Sequence, residues 1–246
     1  MITYHILIEY VGTKFVGWQI QKNGLSIQEI LQKKLKKILK IETVVFGSGR
    51  TDAGVHAVEQ SAHFRIKKEI TDKKKFINSL NFFLSRYKIS VLNIKKKNKN
   101  FHARHSAKKR TYKYVIINRQ APLSIEKNRA WNLKKKLNLI KMRRGAKLLQ
   151  GTKNFSTFRS SSCTAKSPIK TLERVKISNS KNKIEITFTS KSFLQQQVRS
   201  MVGCLKYLGE EKWSLKKFKN AMNSKKRSNC APPAPPCGLY LMKIKY

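Results

Sequence analysis

The chain of 246 residues carries 55 Lys and Arg against 12 Asp and Glu, a formal charge of +43, with 40% hydrophobic residues. That apolar share supports ordinary packed cores, in one large domain or two small ones, and marks the chain as globular. A charge of this size repels itself and attracts polyanions, which makes nucleic acid the natural partner, although the excess of Lys over Arg also fits a drift towards A-rich codons.

No apolar run approaches the ~18 residues of a membrane span, and the N-terminus lacks the basic-then-apolar order of a signal peptide, so no membrane and a cytoplasmic location are expected. Cys163, Cys204, Cys230 and Cys237 have neither C-x-x-C spacing nor the density of a disulfide framework. The five histidines form no H-E-x-x-H pair and no zinc-type cluster with cysteine, so no metal is expected.

In chain order, Tyr4, Ile6, Ile8 and Tyr10 alternate as in a half-buried strand over residues 2–10. Gly12 and Gly17 punctuate the loop that follows. Ser26-Ile27-Gln28-Glu29 has capping-box spacing and opens an apolar stripe (Ile27, Ile30, Leu31, Leu35, Ile38, Leu39), which predicts a helix to about residue 40. The β-branched run Thr43-Val44-Val45-Phe46 and residues 60–66 read as strands, with a glycine-rich loop between them. Phe76, Ile77, Leu80, Phe83 and Leu84 mark a second helix, residues 89–92 a strand, and Lys95-Lys96-Lys97 a solvated loop. This order of strand, helix, strand, strand, helix, strand is the ferredoxin-like βαββαβ pattern.

The second half repeats the pattern: a strand over 111–117, a helix over 133–149, strands over 171–177 and 184–188, and a helix over 198–208. A short helix over 215–222, a proline-rich bend at 232–236 and a strand over 239–244 close the chain. The expected fold class is therefore α+β, two ferredoxin-like halves with mainly antiparallel sheets, divided into domains 1–107 and 108–246. A cleft between two such halves suits a substrate gripped from both sides.

The most informative stretch is Gly47-Ser48-Gly49-Arg50-Thr51-Asp52-Ala53-Gly54-Val55-His56. A dinucleotide-binding fingerprint fails because Asp52 stands where glycine is needed, and no G-x-x-x-x-G-K-[ST] occurs. By spacing alone the loop is a turn in which Thr51 and Asp52 bond their own backbone. Residues 49–56, however, resemble the signature loop of the tRNA pseudouridine synthase A family. The resemblance extends to Tyr10-Val11-Gly12-Thr13-Lys14-Phe15-Val16-Gly17-Trp18-Gln19, to Phe101-His102-Ala103-Arg104 and to Arg110-Thr111-Tyr112-Lys113-Tyr114. Phe155-Ser156-Thr157-Phe158-Arg159, Val198-Arg199-Ser200-Met201-Val202-Gly203 and Ala234-Pro235-Pro236-Cys237-Gly238-Leu239-Tyr240 continue it in order along nearly the whole chain.

The resemblance implies the pseudouridine synthase fold and isomerisation of uridine to pseudouridine at positions 38, 39 and 40 of the anticodon arm of tRNA. It implies a homodimer and a reaction without cofactor or metal. Asp52 matches the family's catalytic aspartate, placed to attack C1′ or to remove a C2′ proton. Arg199 matches its basic partner, which offsets the desolvation of an ionised carboxylate. Tyr112 takes the position of the tyrosine that packs on the target base, Arg50 that of the residue bracing a flipped nucleotide, and Arg104 a place suited to phosphate. One departure is Gln195-Gln196-Gln197, where the family has a histidine-rich stretch. A competing reading is an RNA-binding module without catalysis. Against it, the chain has no RNP1-type strand, and Asp52 in a basic cleft weakens simple RNA binding.

Overall fold

Alternation in the first ten residues produces β1 (Ile2–Tyr10), whose Tyr4, Ile6, Ile8 and Tyr10 are all buried. The computed structural model describes residues 1–246. After β1 come α1 (Ile27–Leu39), β2 (Phe46–Gly47), β3 (His56–Ile66), α2 (Lys73–Leu84) and β4 (Ile89–Lys97). There follow β5 (Lys109–Asn118), β6 (Trp131–Leu133), α3 (Leu139–Leu149), β7 (Gly151–Asn154), β8 (Ile169–Ser180) and β9 (Lys183–Ser190). The helices α4 (Gln197–Gly209) and α5 (Leu215–Asn223) and the strand β10 (Leu239–Lys245) complete the chain. No helix is long and apolar enough to cross a membrane.

The chain divides into two compact units, residues 1–108 with 240–246, and residues 109–239. In the first, the sheet runs β4-β1-β3, with β1 antiparallel to both neighbours. The far edge of β3 is shared. β2 pairs antiparallel with its Ala62 and His63, while β10 pairs parallel with its His56 and Ala57. The closing strand, which the sequence groups with the second half, thus contributes Tyr240 onward to the sheet of the first unit.

Helix α1 starts where the capping box placed it, the Ser26 hydroxyl accepting from the Glu29 N–H at 3.2 Å. Its Ile27, Ile30, Leu31 and Leu35, with Phe76, Leu80 and Leu84 of α2, are buried with the even-numbered face of β1. Each such side chain contributes about 1.5–3 kcal/mol. The Tyr4 ring stacks on Phe64 at 5.7 Å, and its hydroxyl accepts from the Ile70 N–H, tying the turn before α2 to β1.

In the second unit the order is β5-β9-β8-β7, all antiparallel, with β6 added parallel to β5. Helices α3 and α4 cross closely because Gly145 has no side chain. A Cβ there would lie 2.3 Å from a Leu208 methyl.

Three expectations change. Residues 43–45 are not a strand: the Val45 N–H is taken by the Gln32 side chain and its carbonyl by Gln28, both from α1, so only Phe46 and Gly47 reach the sheet. The helix expected from residue 133 begins at Leu139, capped by Asn138. The Asn118 side chain holds the preceding chain extended by donating to the carbonyls of Leu133 and Lys135 and accepting from Leu137. Lys95, Lys96 and Lys97 lie in β4, paired with His5, Tyr4 and Thr3, and are not a loop.

Candidate active site

The loop from Ser48 to Val55 leaves β2 and enters β3, and its backbone is held from several sides. At its start the Ser48 N–H donates to the Ser61 carbonyl at 2.8 Å, and the fully buried Gln60 donates to the Gly49 carbonyl at 2.8 Å. In the middle, the hydroxyls of Tyr10 and Thr51 lie 2.8 Å apart, and the Trp18 N–H donates to the Thr51 carbonyl at 3.1 Å. Gly17 and Asp52 form an isolated antiparallel bridge. At the end, Gly54 takes φ +76°, its N–H donates to the Phe15 carbonyl, and the Val55 N–H closes a turn onto the Asp52 carbonyl.

The segment against this loop is the early glycine-bearing stretch of the sequence. Gly12 donates to Nδ1 of His56, and a Cβ at Gly12 would stand 1.9 Å from the Val55 carbonyl oxygen. Gly17 sits at φ +118°, and a Cβ there would stand 2.6 Å from the Thr51 oxygen. These glycines let two backbones touch where a side chain would separate them. The same segment joins the start of α1, since Ile27 and Gln28 donate to the carbonyls of Gly17 and Trp18. Asp52 is half-buried and Arg50 exposed on the same loop. A carboxylate fixed by backbone bonds, each worth about 1 kcal/mol, is one whose position is set before a ligand arrives.

Arg104, exposed, lies in the turn over 101–106, where its N–H donates to Nδ1 of His102. That turn rests on β3, the Ala103 N–H donating to Nδ1 of His63 at 3.2 Å. His5 and His63 are buried beside each other on the odd-numbered face of the sheet. Burial holds both imidazoles down to about 4, helped at His5 by Lys97 and Lys95 and at His63 by His102 and Arg65.

In the second unit, Tyr112 on β5 is buried, its ring meeting Phe193 edge-on at 5.2 Å. Arg199 lies half-buried on the first turn of α4. Its Nε donates to the Ala234 carbonyl at 2.8 Å, and the Ala234 N–H donates back to the Arg199 carbonyl at 2.9 Å. The proline-rich bend therefore orients the guanidinium. It can come so close because Gly203 faces it, where a Cβ would lie 2.0 Å from the Pro232 oxygen. Tyr114 anchors the same bend by donating to the Pro235 carbonyl, and burial raises its hydroxyl far above the ordinary tyrosine value.

In the glutamine triplet, Gln196 takes a left-handed conformation and Gln197 is fully buried, its side-chain oxygen accepting from the Leu194 N–H at 2.8 Å. Gln197 thus closes the turn that starts α4.

Among the expected site residues, Arg50 and Asp52 share one loop and Arg104 a neighbouring segment of the first unit, whereas Tyr112 and Arg199 belong to the second. Reading the sequence missed the groups that hold the loop, Tyr10 and Gln60. Both sit in strands and read there as ordinary sheet residues.

A family model described as tRNA pseudouridine synthase matches residues 6–106 and 146–246, which take in the Asp52 loop and the Arg199 helix. The chain belongs to the tRNA pseudouridine synthase family. It is 60% identical over 246 residues to the tRNA pseudouridine synthase A of Pelagibacter ubique (strain HTCC1062), covering all of both chains. It is 41% identical to that of Parvibaculum lavamentivorans, again over the whole of both, and 44% identical to that of Ehrlichia canis (strain Jake) over 99% of each.

Proposed function

We propose that this isomerase converts uridine to pseudouridine at positions 38, 39 and 40 in the anticodon arm of tRNA, with Asp52 as its essential carboxylate. The observation that carries the reading is the Asp52 loop, locked by Tyr10, Gln60, Gly12 and Gly17 within a chain of this family. The reaction breaks the bond from C1′ to N1, turns the uracil and joins C1′ to C5, while a proton leaves C5 and N1 gains one. No oxidation state changes, so the proposal calls for no cofactor and no metal.

Asp52 acts beside the anomeric carbon, and two routes use the same carboxylate: attack on C1′, or removal of a C2′ proton to give a glycal. Arg199 offsets the desolvation of that carboxylate, Tyr112 packs against the target base, and Arg50 braces the extruded nucleotide. Arg104 holds backbone phosphate. The enzyme works as a homodimer in the cytoplasm, on tRNA drawn in by its positive charge.

The test is position-resolved pseudouridine mapping on an unmodified tRNA transcript, with wild type and Asp52→Asn compared. Pseudouridine confined to the 3′ side of the anticodon loop and the adjoining stem, made by wild type only, supports the reading. A wild type that binds tRNA and makes none overturns it in favour of RNA binding without catalysis.

A further inference from the structure

One motif singled out in the sequence, Phe155-Ser156-Thr157-Phe158-Arg159, has no part in the reaction so far. Phe155 and Phe158 are fully buried, and the chain between them makes a single 3-10 turn. The Thr157 hydroxyl pins that turn to the end of α5 by donating to the Ala221 carbonyl at 3.0 Å. Burying the two phenylalanines turns Ser156 and Arg159 outward, into a cavity of about 380 Å³ whose walls also include Ser160, Ser161, Lys225 and Arg227.

The lining is one-sided in charge. Three cationic side chains and three serines face the cavity, and no carboxylate does. None of Arg159, Lys225 and Arg227 takes part in an ion pair, although the chain's glutamates pair with lysines elsewhere, as Glu173 does with Lys109 and Glu210 with Lys206. Lys225 is held at φ +56°, a left-handed conformation that costs a non-glycine residue energy. Arg227 is aimed by its own bonds, donating to the Ser200 hydroxyl at 2.7 Å. Like charges gathered in a concavity, ringed by hydroxyl donors, form a field that an oxyanion relieves.

Two of the cavity's wall residues are bonded to α4 and to the turn before it. Ser200, which orients Arg227, directly follows Arg199, and the Ser160 N–H donates to the Gln195 carbonyl just before the helix. We propose that this pocket binds a backbone phosphate of the RNA substrate, close to the nucleotide handled by Arg199. The proposal rests on the pseudouridine synthase reading for the identity of the RNA. The phosphate chemistry follows from the pocket itself. The volume admits a phosphate with an attached sugar, and a contact of this kind adds affinity without reading sequence.

The experiment compares wild type, Arg159→Gln, Lys225→Gln and the charge-keeping Arg159→Lys, with an unmodified tRNA transcript and, separately, inorganic phosphate as probes. Each glutamine variant is expected to weaken tRNA binding about three- to tenfold near physiological salt. Each should flatten the dependence of log Kd on log salt by about one unit, with kcat at saturating tRNA within about twofold. Arg159→Lys should recover most of the lost affinity. Unchanged affinity and slope overturn the proposal, and so does a fall in kcat with affinity intact, which would make the motif a prop for α4. If millimolar phosphate raises the melting temperature of wild type but not of the variants, and tRNA affinity does not change, the occupant is a small free phosphate and the RNA assignment fails. If wild type makes no pseudouridine yet the variants lose salt slope, the pocket stands and the catalytic reading falls.

Discussion

The hydroxyl of Tyr10 lies 2.8 Å from that of Thr51, so the last residue of β1 holds the residue immediately before Asp52. Both side chains are almost fully buried, which makes the bond costly to lose. Tyr10→Phe is expected to lower stability by about 1–2 kcal/mol. With the loop slackened, kcat should fall several-fold at little change in KM. Urea unfolding and steady-state kinetics on a tRNA transcript check both, and an unaltered kcat would show that the loop needs no such brace.

Gly17→Ala is expected to do more damage. The substitution meets a backbone at φ +118° and puts a methyl 2.6 Å from the Thr51 oxygen, so two strands of main chain must part next to Asp52. A loss of about 2–4 kcal/mol and of nearly all activity is expected. Wild-type activity in the alanine variant, measured at a temperature where it is folded, would contradict the close approach.

Asp52→Asn keeps the shape of the loop and removes the charge. Pseudouridine formation should drop at least about a thousandfold. Affinity for tRNA should hold within about threefold, since a carboxylate among phosphates contributes nothing to binding. Single-turnover kinetics with a separate binding isotherm separate the two effects. A variant that keeps more than a few per cent of the wild-type rate would remove Asp52 from the chemistry.

The buried pair His5 and His63 predicts a dependence of stability on pH. Both imidazoles titrate near 4 in the folded chain and near 6.5 when unfolded. Between those values the unfolded state binds more protons, so stability falls as the pH drops from about 6.5 to about 4 and no further from this source below that. Lys95 and Lys97 from β4 beside His5, and Arg65 on β3 and His102 from the 101–106 turn beside His63, all disfavour the charged forms, while Ser61, bonded to His5 and also to Tyr246, supplies a neutral partner. Each histidine should account for a loss on the order of 2 kcal/mol across that window. Urea unfolding at pH 7.5, 5.5 and 4.5 for wild type, His5→Gln and His63→Gln reads this directly. Parallel pH profiles in all three would exclude the pair as the cause.

Much of the fold was legible because its signals are local. The alternation of β1 and the capping box of α1 each specify their element within a few residues, and the structure follows them closely. The short strands β6 and β7 were not legible, and β2 was placed too early. Two to four residues carry no usable period, and it is the partner strand that makes them strands. Residues 43–45 show the converse, a β-branched run kept out of the sheet because glutamines of α1 take its backbone groups.

The candidate site divides in the same way. Asp52, Arg50, Arg104, Tyr112 and Arg199 are candidates from the sequence because each sits in a motif that resembles the family's, and a family model covering 6–106 and 146–246 assigns the chain to that family. Tyr10 opens one of the resembling motifs, but nothing in the sequence marks it or Gln60 as holding the loop, because their partners lie elsewhere along the chain. The basic pocket was equally hidden, since Arg159 and Lys225 are 66 positions apart and only packing of the 3-10 turn against the end of α5 makes them neighbours.

By itself the sequence determined the large charge, the order of the long elements and the family motif in the Asp52 loop, because charge, period and motif are properties of residues close along the chain. Only the tertiary structure decided that β10 joins β3, that two glycines let the Gly12 to Gly17 segment press against the Asp52 loop, and that cations from separate segments share one cavity. Those are contacts between residues far apart in sequence. They form because burying apolar surface brings the elements together, and that outcome depends on the whole chain at once.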